Sequence, residues 1–144
     1  MVSAPTLDVG GNLVVEVPAT NVGDRRGAEV VQLYVAPPPG GPAFRLVQEL
    51  LGFAKVVLDP GETATVSIAL DARAFARWSA PDPDLAELLP RVTAQVPWTR
   101  PPTGADHRGW ILDPGAYELR IGRSSADIVH VATVEVPTGG PLDR

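Results

Sequence analysis

The chain has 144 residues, a formal net charge of -5 and no cysteine. It is one domain in size and long enough to bury a core without covalent staples, and it excludes disulfides, thiolate metal sites and cysteine nucleophiles. The acidic balance argues against a nucleic-acid partner, which needs a basic face, and no apolar run is long enough to span a bilayer.

Residues 1–12, with Gly10 and Gly11, read as a linker remnant. They lack the basic start and apolar stretch of a signal peptide, so a natural start at Met1 would imply a cytoplasmic protein. Leu13, Val15 and Val17 alternate with Val14, Glu16 and Pro18, which predicts a strand whose proline places it at a sheet edge. Asn21-Val22-Gly23-Asp24 is a corner, since Asn and Gly tolerate positive φ and the Asn and Asp side chains bond nearby backbone. Residues 29–36 are apolar at nearly every position, which predicts a strand buried on both faces or set against another domain.

The proline and glycine run at 37–42 predicts a loop. Residues 49–57 predict a strand in which Gly52 marks a bulge or a close approach. Asp59-Pro60-Gly61-Glu62 predicts a type II turn. In 63–70, Ala64, Val66, Ile68 and Leu70 alternate with smaller and polar residues, as a half-buried strand requires. Residues 72–78 are ambiguous between a helical turn and a short strand.

Residues 79–108 differ in kind. They are rich in proline and hold one predicted short helix at 84–89. Order resumes at Trp110-Ile111-Leu112, followed by a second Asp-Pro-Gly corner at 113–115. Tyr117, Leu119 and Ile121 then alternate with Glu118 and Arg120, and 128–136 supplies a last strand. Residues 137–144 read as a flexible tail. About seven short strands separated by turn signals predict an all-β, immunoglobulin-like β-sandwich over 13–136, carrying a long Pro-rich insertion at 79–108.

No residue set carries obvious chemistry. The carboxylates at Glu16, Glu49, Glu62, Asp82, Asp84, Glu87, Asp106, Asp113 and Glu118 fall mostly in turns or on outward strand positions, so no catalytic pair is expected. His107 and His130 lack a second ligand at metal spacing, and no cofactor or metal site is expected. Ser124-Ser125 lacks the GxSxG elbow and reads as a turn bonding its own backbone. Gly139-Gly140 has no phosphate-loop context. Tyr34, Phe53, Trp110 and Tyr117 fall on strand positions expected to face the core. Trp98 is different: it lies in the insertion, beside Arg100, where it could dock on a neighbouring domain, pack on this one or stack on a sugar.

Five blocks of sequence, in order, resemble one family. Residues 21–35, NVGDRRGAEVVQLYV, are similar to the string VxNxGxxxGxEVVQLYV that recurs at the start of the fibronectin type III-like C-terminal domain of family 3 glycoside hydrolases, the β-glucosidases and their relatives. Residues 49–53 (ELLGF), 57–63 (VLDPGET), 110–117 (WILDPGAY), and 119–125 with 127–128 resemble later blocks of that domain. Two departures stand out: Leu46 follows Arg45 where members usually have proline, and residues 79–108 are inserted where members cross in a short span.

The resemblance implies a fibronectin type III-like sandwich. It implies an accessory, stabilising domain whose partner is the catalytic domains of a β-glucosidase- or β-xylosidase-like enzyme, in cis or as a separate chain. Members use an Asp nucleophile and a Glu acid/base in upstream domains, and no residue here inherits either role. The family's domain also usually has one more strand and a linker upstream, so the chain looks like a domain cut from a longer enzyme or a fragment encoded alone. The loop at 37–45 and the insertion at 79–108 are the expected docking surface, with Arg45, Trp98 and Arg100 the candidate contacts to a neighbouring domain or a sugar. The alternative is a free-standing carbohydrate-binding or adhesion module, with an oligosaccharide as ligand.

Overall fold

A computed structural model describes residues 10–40, 45–79 and 108–142. They form nine strands and one short helix: β1 Asn12–Thr20, β2 Gly27–Ala36, β3 Glu49–Leu58, β4 Thr63–Asp71, α1 Ala72–Phe75, β5 Arg77–Ser79, β6 Gly109–Leu112, β7 Gly115–Ser124, β8 Asp127–Val136 and β9 Gly140–Pro141. The strands make three antiparallel sheets, β1-β4, β3-β2-β7-β8 and β5-β6-β9. The all-β sandwich expected from the turn spacing is present.

Period-two patterning builds the core. Leu13 and Val15 of β1 and Val66, Ile68 and Leu70 of β4 face Val31, Leu33 and Val35 of β2, Tyr117, Leu119 and Ile121 of β7, and Val134 and Val136 of β8. Phe75, delivered by α1, closes one end and meets Tyr117 edge-on at 5.5 Å between ring centroids. The ambiguous stretch after β4 resolves into both candidates in turn. Asp71 caps the helix by accepting from Ala74 N at 3.0 Å, and the chain then extends into β5.

Asn21 stitches two corners together. Its Nδ2 donates to Arg25 O at 2.8 Å and to Leu58 O at 2.9 Å, and its Oδ1 accepts from Gly23 N at 3.0 Å. Its backbone N–H donates to Glu62 O, and its carbonyl accepts from Gly61 N, both at 2.9 Å. The β1–β2 corner is thereby bonded to the β3–β4 turn. In that turn Glu62 N donates to Asp59 O at 3.0 Å and Gly61 has φ 75°, as the Pro-Gly pair at its centre requires.

Three expectations need correction. Phe53 does not face the core: it is 68% exposed. The β2–β3 register shifts between Leu33, opposite Gly52, and Tyr34, opposite Leu50, so Leu51 is an extra residue. Beyond this bulge Ala54, Val56 and Leu58 take the inward positions, and Phe53, Lys55 and Val57 point out. Trp110 is only half-buried, against Trp78. Of the region read as a flexible tail, residues 140–142 are tied down, since Gly140 and Pro141 pair with Leu112 and Ile111 of β6, and Leu142 N donates to Trp110 O at 2.9 Å. Gly52 does serve a close approach as well as the bulge: a Cβ there would lie 3.0 Å from Ile68 of the opposite sheet. The helix expected at 84–89 lies outside the described residues, as does His107.

Candidate functional site

Three places concentrate side chains that the core alone does not explain. The first is polar and buried. Arg77 of β5 holds Asp113 through two hydrogen bonds, Nε to Oδ2 at 2.8 Å and Nη2 to Oδ1 at 3.1 Å. Both side chains are nearly buried. The Asp-Pro-Gly corner is therefore pinned by a forked ion pair, and Tyr117 Oη adds a bond to Asp113 O at 2.9 Å. Burial pushes the Tyr117 phenol above its ordinary value of 10.0, and the nearby Arg45 only partly offsets this.

Arg45 lies at the same end. Its side chain is 6% exposed. Its Nη1 donates to Phe75 O at 2.9 Å and reaches Tyr117 Oη at 3.5 Å, while the guanidinium stands 5.6 Å from the Tyr117 ring centre. Glu49 Oε1 lies 3.6 Å from its Nε. Among the described residues, Nε and Nη2 have no hydrogen-bond partner. Arg45 thus anchors the end of the 37–45 loop to the core. Trp98 and Arg100 lie outside the described residues, so the described geometry does not bring the three candidates together.

The second place is aromatic. Trp78 and Trp110 meet edge-on at 5.4 Å, and Arg73 stacks 4.6 Å over the Trp110 ring. Trp78 is 51% exposed, at the point where β5 leaves for the insertion. Sequence reading missed this pair, because Trp78 and Trp110 meet only through the pairing of β5 with β6.

The third place is apolar: the outer face of β3-β2-β7-β8. Leu50, Phe53 and Val57 of β3 and Val131 of β8 are exposed on it, with Leu46 and Val47 just before β3. Two openings adjoin this sheet. A groove of about 520 Å³ runs between the end of β1 and the sheet, lined by Val17, Val31, Leu58, Ile121 and Val129 among others. A cleft of about 530 Å³ lies under the Pro37–Pro39 loop beside Glu118 and Arg120.

Several of the described carboxylates have local structural partners. Glu62 accepts from Asp59 N at 2.7 Å, Asp113 serves Arg77, and Glu118 binds Arg120 Nε at 2.6 Å. Ser124 Oγ accepts from Ala126 N at 3.3 Å, as a self-bonded turn should. His130 is exposed on β8 opposite Ile121. No group of three His, Asp or Glu among the described residues is placed to hold a metal ion.

Comparison with known proteins agrees with this architecture. The fibronectin type III-like domain model matches residues 29–85. The match takes in 57 of the 144 residues, and the all-β architecture agrees with a fibronectin type III-like sandwich. A probable beta-glucosidase I of Neosartorya fischeri is 49% identical over 74 residues, covering 51% of this chain and 9% of the relative. The thermostable beta-glucosidase B of Acetivibrio thermocellus is 35% identical over 137 residues, covering 94% of this chain and 15% of the relative. The crystal structure of a beta-glucosidase from Listeria innocua superposes with TM-score 0.69 at 28% identity, covering 99% of this chain and 16% of that one. The chain is thus similar to one segment of these β-glucosidases and spans well under a fifth of their length.

Proposed function

We propose that this chain is a non-catalytic accessory domain that packs against and stabilises the catalytic region of a family 3 β-glucosidase-like enzyme, in cis or as a separate chain. The observation that carries this reading is the coverage: the match to the Acetivibrio enzyme takes in 94% of this chain but 15% of the enzyme. The engagement of Glu62, Asp113 and Glu118 in turns and ion pairs supports the absence of catalysis. In this reading the loop at 37–45 and the insertion at 79–108 belong to the docking surface. Arg45 holds the loop in place from beneath, and Trp98 and Arg100 are contacts to the neighbouring domain. The test is an assay of this chain alone on an aryl β-glucoside. No turnover above a buffer blank is expected, and measurable turnover overturns the proposal.

A second reading has one observation in its favour. The half-exposed Trp78, braced by Trp110 and Arg73, offers a ring face of the kind that stacks on sugars. It makes the chain a carbohydrate-binding module. Titration with cello- or xylo-oligosaccharides, followed by tryptophan fluorescence, tests it, and a flat response at millimolar sugar ends it.

A further inference from the structure

The two sandwich faces differ in kind. On β4 the outward positions are Thr63, Thr65, Ser67 and Ala69, and no exposed large apolar side chain among the described residues lies on β1 or β4. That face is finished for water. The outer face of β3-β2-β7-β8 is not. Its edge strand β3 presents Leu50, Phe53 and Val57 to solvent, and β8 presents Val131. An antiparallel sheet with one face on the core normally keeps polar residues on the other. Leu50, Phe53 and Val57 follow one another along β3, with Leu46 and Val47 just before it, whereas Val131 is set apart across Tyr34 and Arg120, and such a run of exposed apolar side chains at one edge of a domain marks an interaction site.

We propose that this face, centred on Phe53, is where the domain seats on the catalytic region of a family 3 glycoside hydrolase. The inference rests on the accessory reading above and adds a surface to it, beyond the two loops. Two observations select this occupant. In the related enzymes the matching segment is about one seventh of a continuous chain, so a large partner surface is covalently at hand. The charges on the face also disfavour a second copy. Arg120 on this face is paired with Glu118 at 2.6 Å. Lys55, flanked on the face by Phe53 and Val57, makes no ion pair among the described residues. A two-fold axis near the patch centre would set Lys55 against its own copy, whereas a different partner can offer a carboxylate or carbonyl there. The partner surface is therefore apolar, with an acceptor opposite Lys55.

The experiment is a domain exchange. The full-length Acetivibrio enzyme receives this chain in place of its matching segment, and Phe53→Glu is compared with Ser67→Glu on the opposite face, both in the chimaera and in the isolated chain. Phe53→Glu is expected to lower the melting temperature of the chimaera by about 5 °C or more while moving the isolated chain by no more than roughly 1 °C, as a surface change should. Ser67→Glu is expected to move neither. An unchanged chimaera, or an equal fall in chimaera and isolated chain, overturns the assignment of the face. So does a wild-type isolated chain that sediments as a dimer and is split by Phe53→Glu, which would give the face to a second copy. If the wild-type chimaera melts no higher than the enzyme lacking the segment, the accessory reading itself fails.

Discussion

Replacing Asn21 with alanine removes three side-chain hydrogen bonds at once, two donated by Nδ2 and one accepted by Oδ1. The bonds to Arg25 O and from Gly23 N lie at the exposed rim, where water can take the lost partner's place, and each is worth about 0.5 kcal/mol. The bond to Leu58 O is part-buried and leaves a β3 carbonyl without its partner, at about 1.5 kcal/mol. The sum is about 2.5 kcal/mol, or a fall in melting temperature of roughly 8 °C for a domain of this size. Urea denaturation of wild type and Asn21→Ala, followed by near-ultraviolet circular dichroism, measures it, with an unchanged m-value showing that both unfold as one unit. Asn21→Asp sharpens the test. It keeps the shape and the acceptor for Gly23 N but turns the donor into a second acceptor facing two carbonyl oxygens. It is expected to cost at least as much as alanine. A loss under about 0.5 kcal/mol for alanine, or an aspartate variant as stable as wild type, refutes the claim that the donated bonds join the corners.

Asp113→Ala removes the carboxylate that Arg77 grips in a forked, nearly buried ion pair and should cost about 3 kcal/mol in urea denaturation, and replacing both residues by apolar ones should recover part of that loss. The raised pKa of Tyr117 means that the folded state holds its proton more tightly than the unfolded chain, so this contribution is intact below pH 10 and is lost as pH rises through the folded value. Stability measured from pH 9 to 11.5 should therefore fall, and Tyr117→Phe should flatten that fall while costing about 1 kcal/mol at neutral pH for the lost bond to Asp113 O. Phe75→Ala, at a fully buried ring, should cost about 3–5 kcal/mol. Phe53→Ser in the isolated chain should change stability by less than about 0.5 kcal/mol, a contrast that thermal melts of the two variants read directly.

Alternation made most of the sandwich legible. The inward set of β4, Val66, Ile68 and Leu70, can be read straight from its period of two, and the Pro60-Gly61 pair names its own turn. What stayed hidden depends on pairing across distance. The outward turn of Phe53 follows from one extra residue at Leu51, which is visible only against the register of β2. Asp113 read as a turn residue, which it is, but its ion pair comes from Arg77 in another strand. Gly140-Pro141 has almost no strand propensity and is ordered because β6 offers an edge to pair with. Of the candidate contacts, Arg45 sits where its neighbours Phe75 and Tyr117 draw it in, a consequence of tertiary packing that local sequence does not encode.

The pairing of β5 with β6 sets Ser79 opposite Gly109, so the stretch between them leaves and re-enters the domain at nearly the same point. Lengthening a connection between ends already held together costs little, because closure entropy grows only with the logarithm of length. This corner is thus a socket whose contents can be exchanged without reopening the sandwich. A lineage could add, trim or rewrite what it carries there while Asn21, the core and the turns went on specifying the same frame. An engineer could do likewise, replacing residues 80–108 with a tight two-residue turn or with a binding peptide of choice.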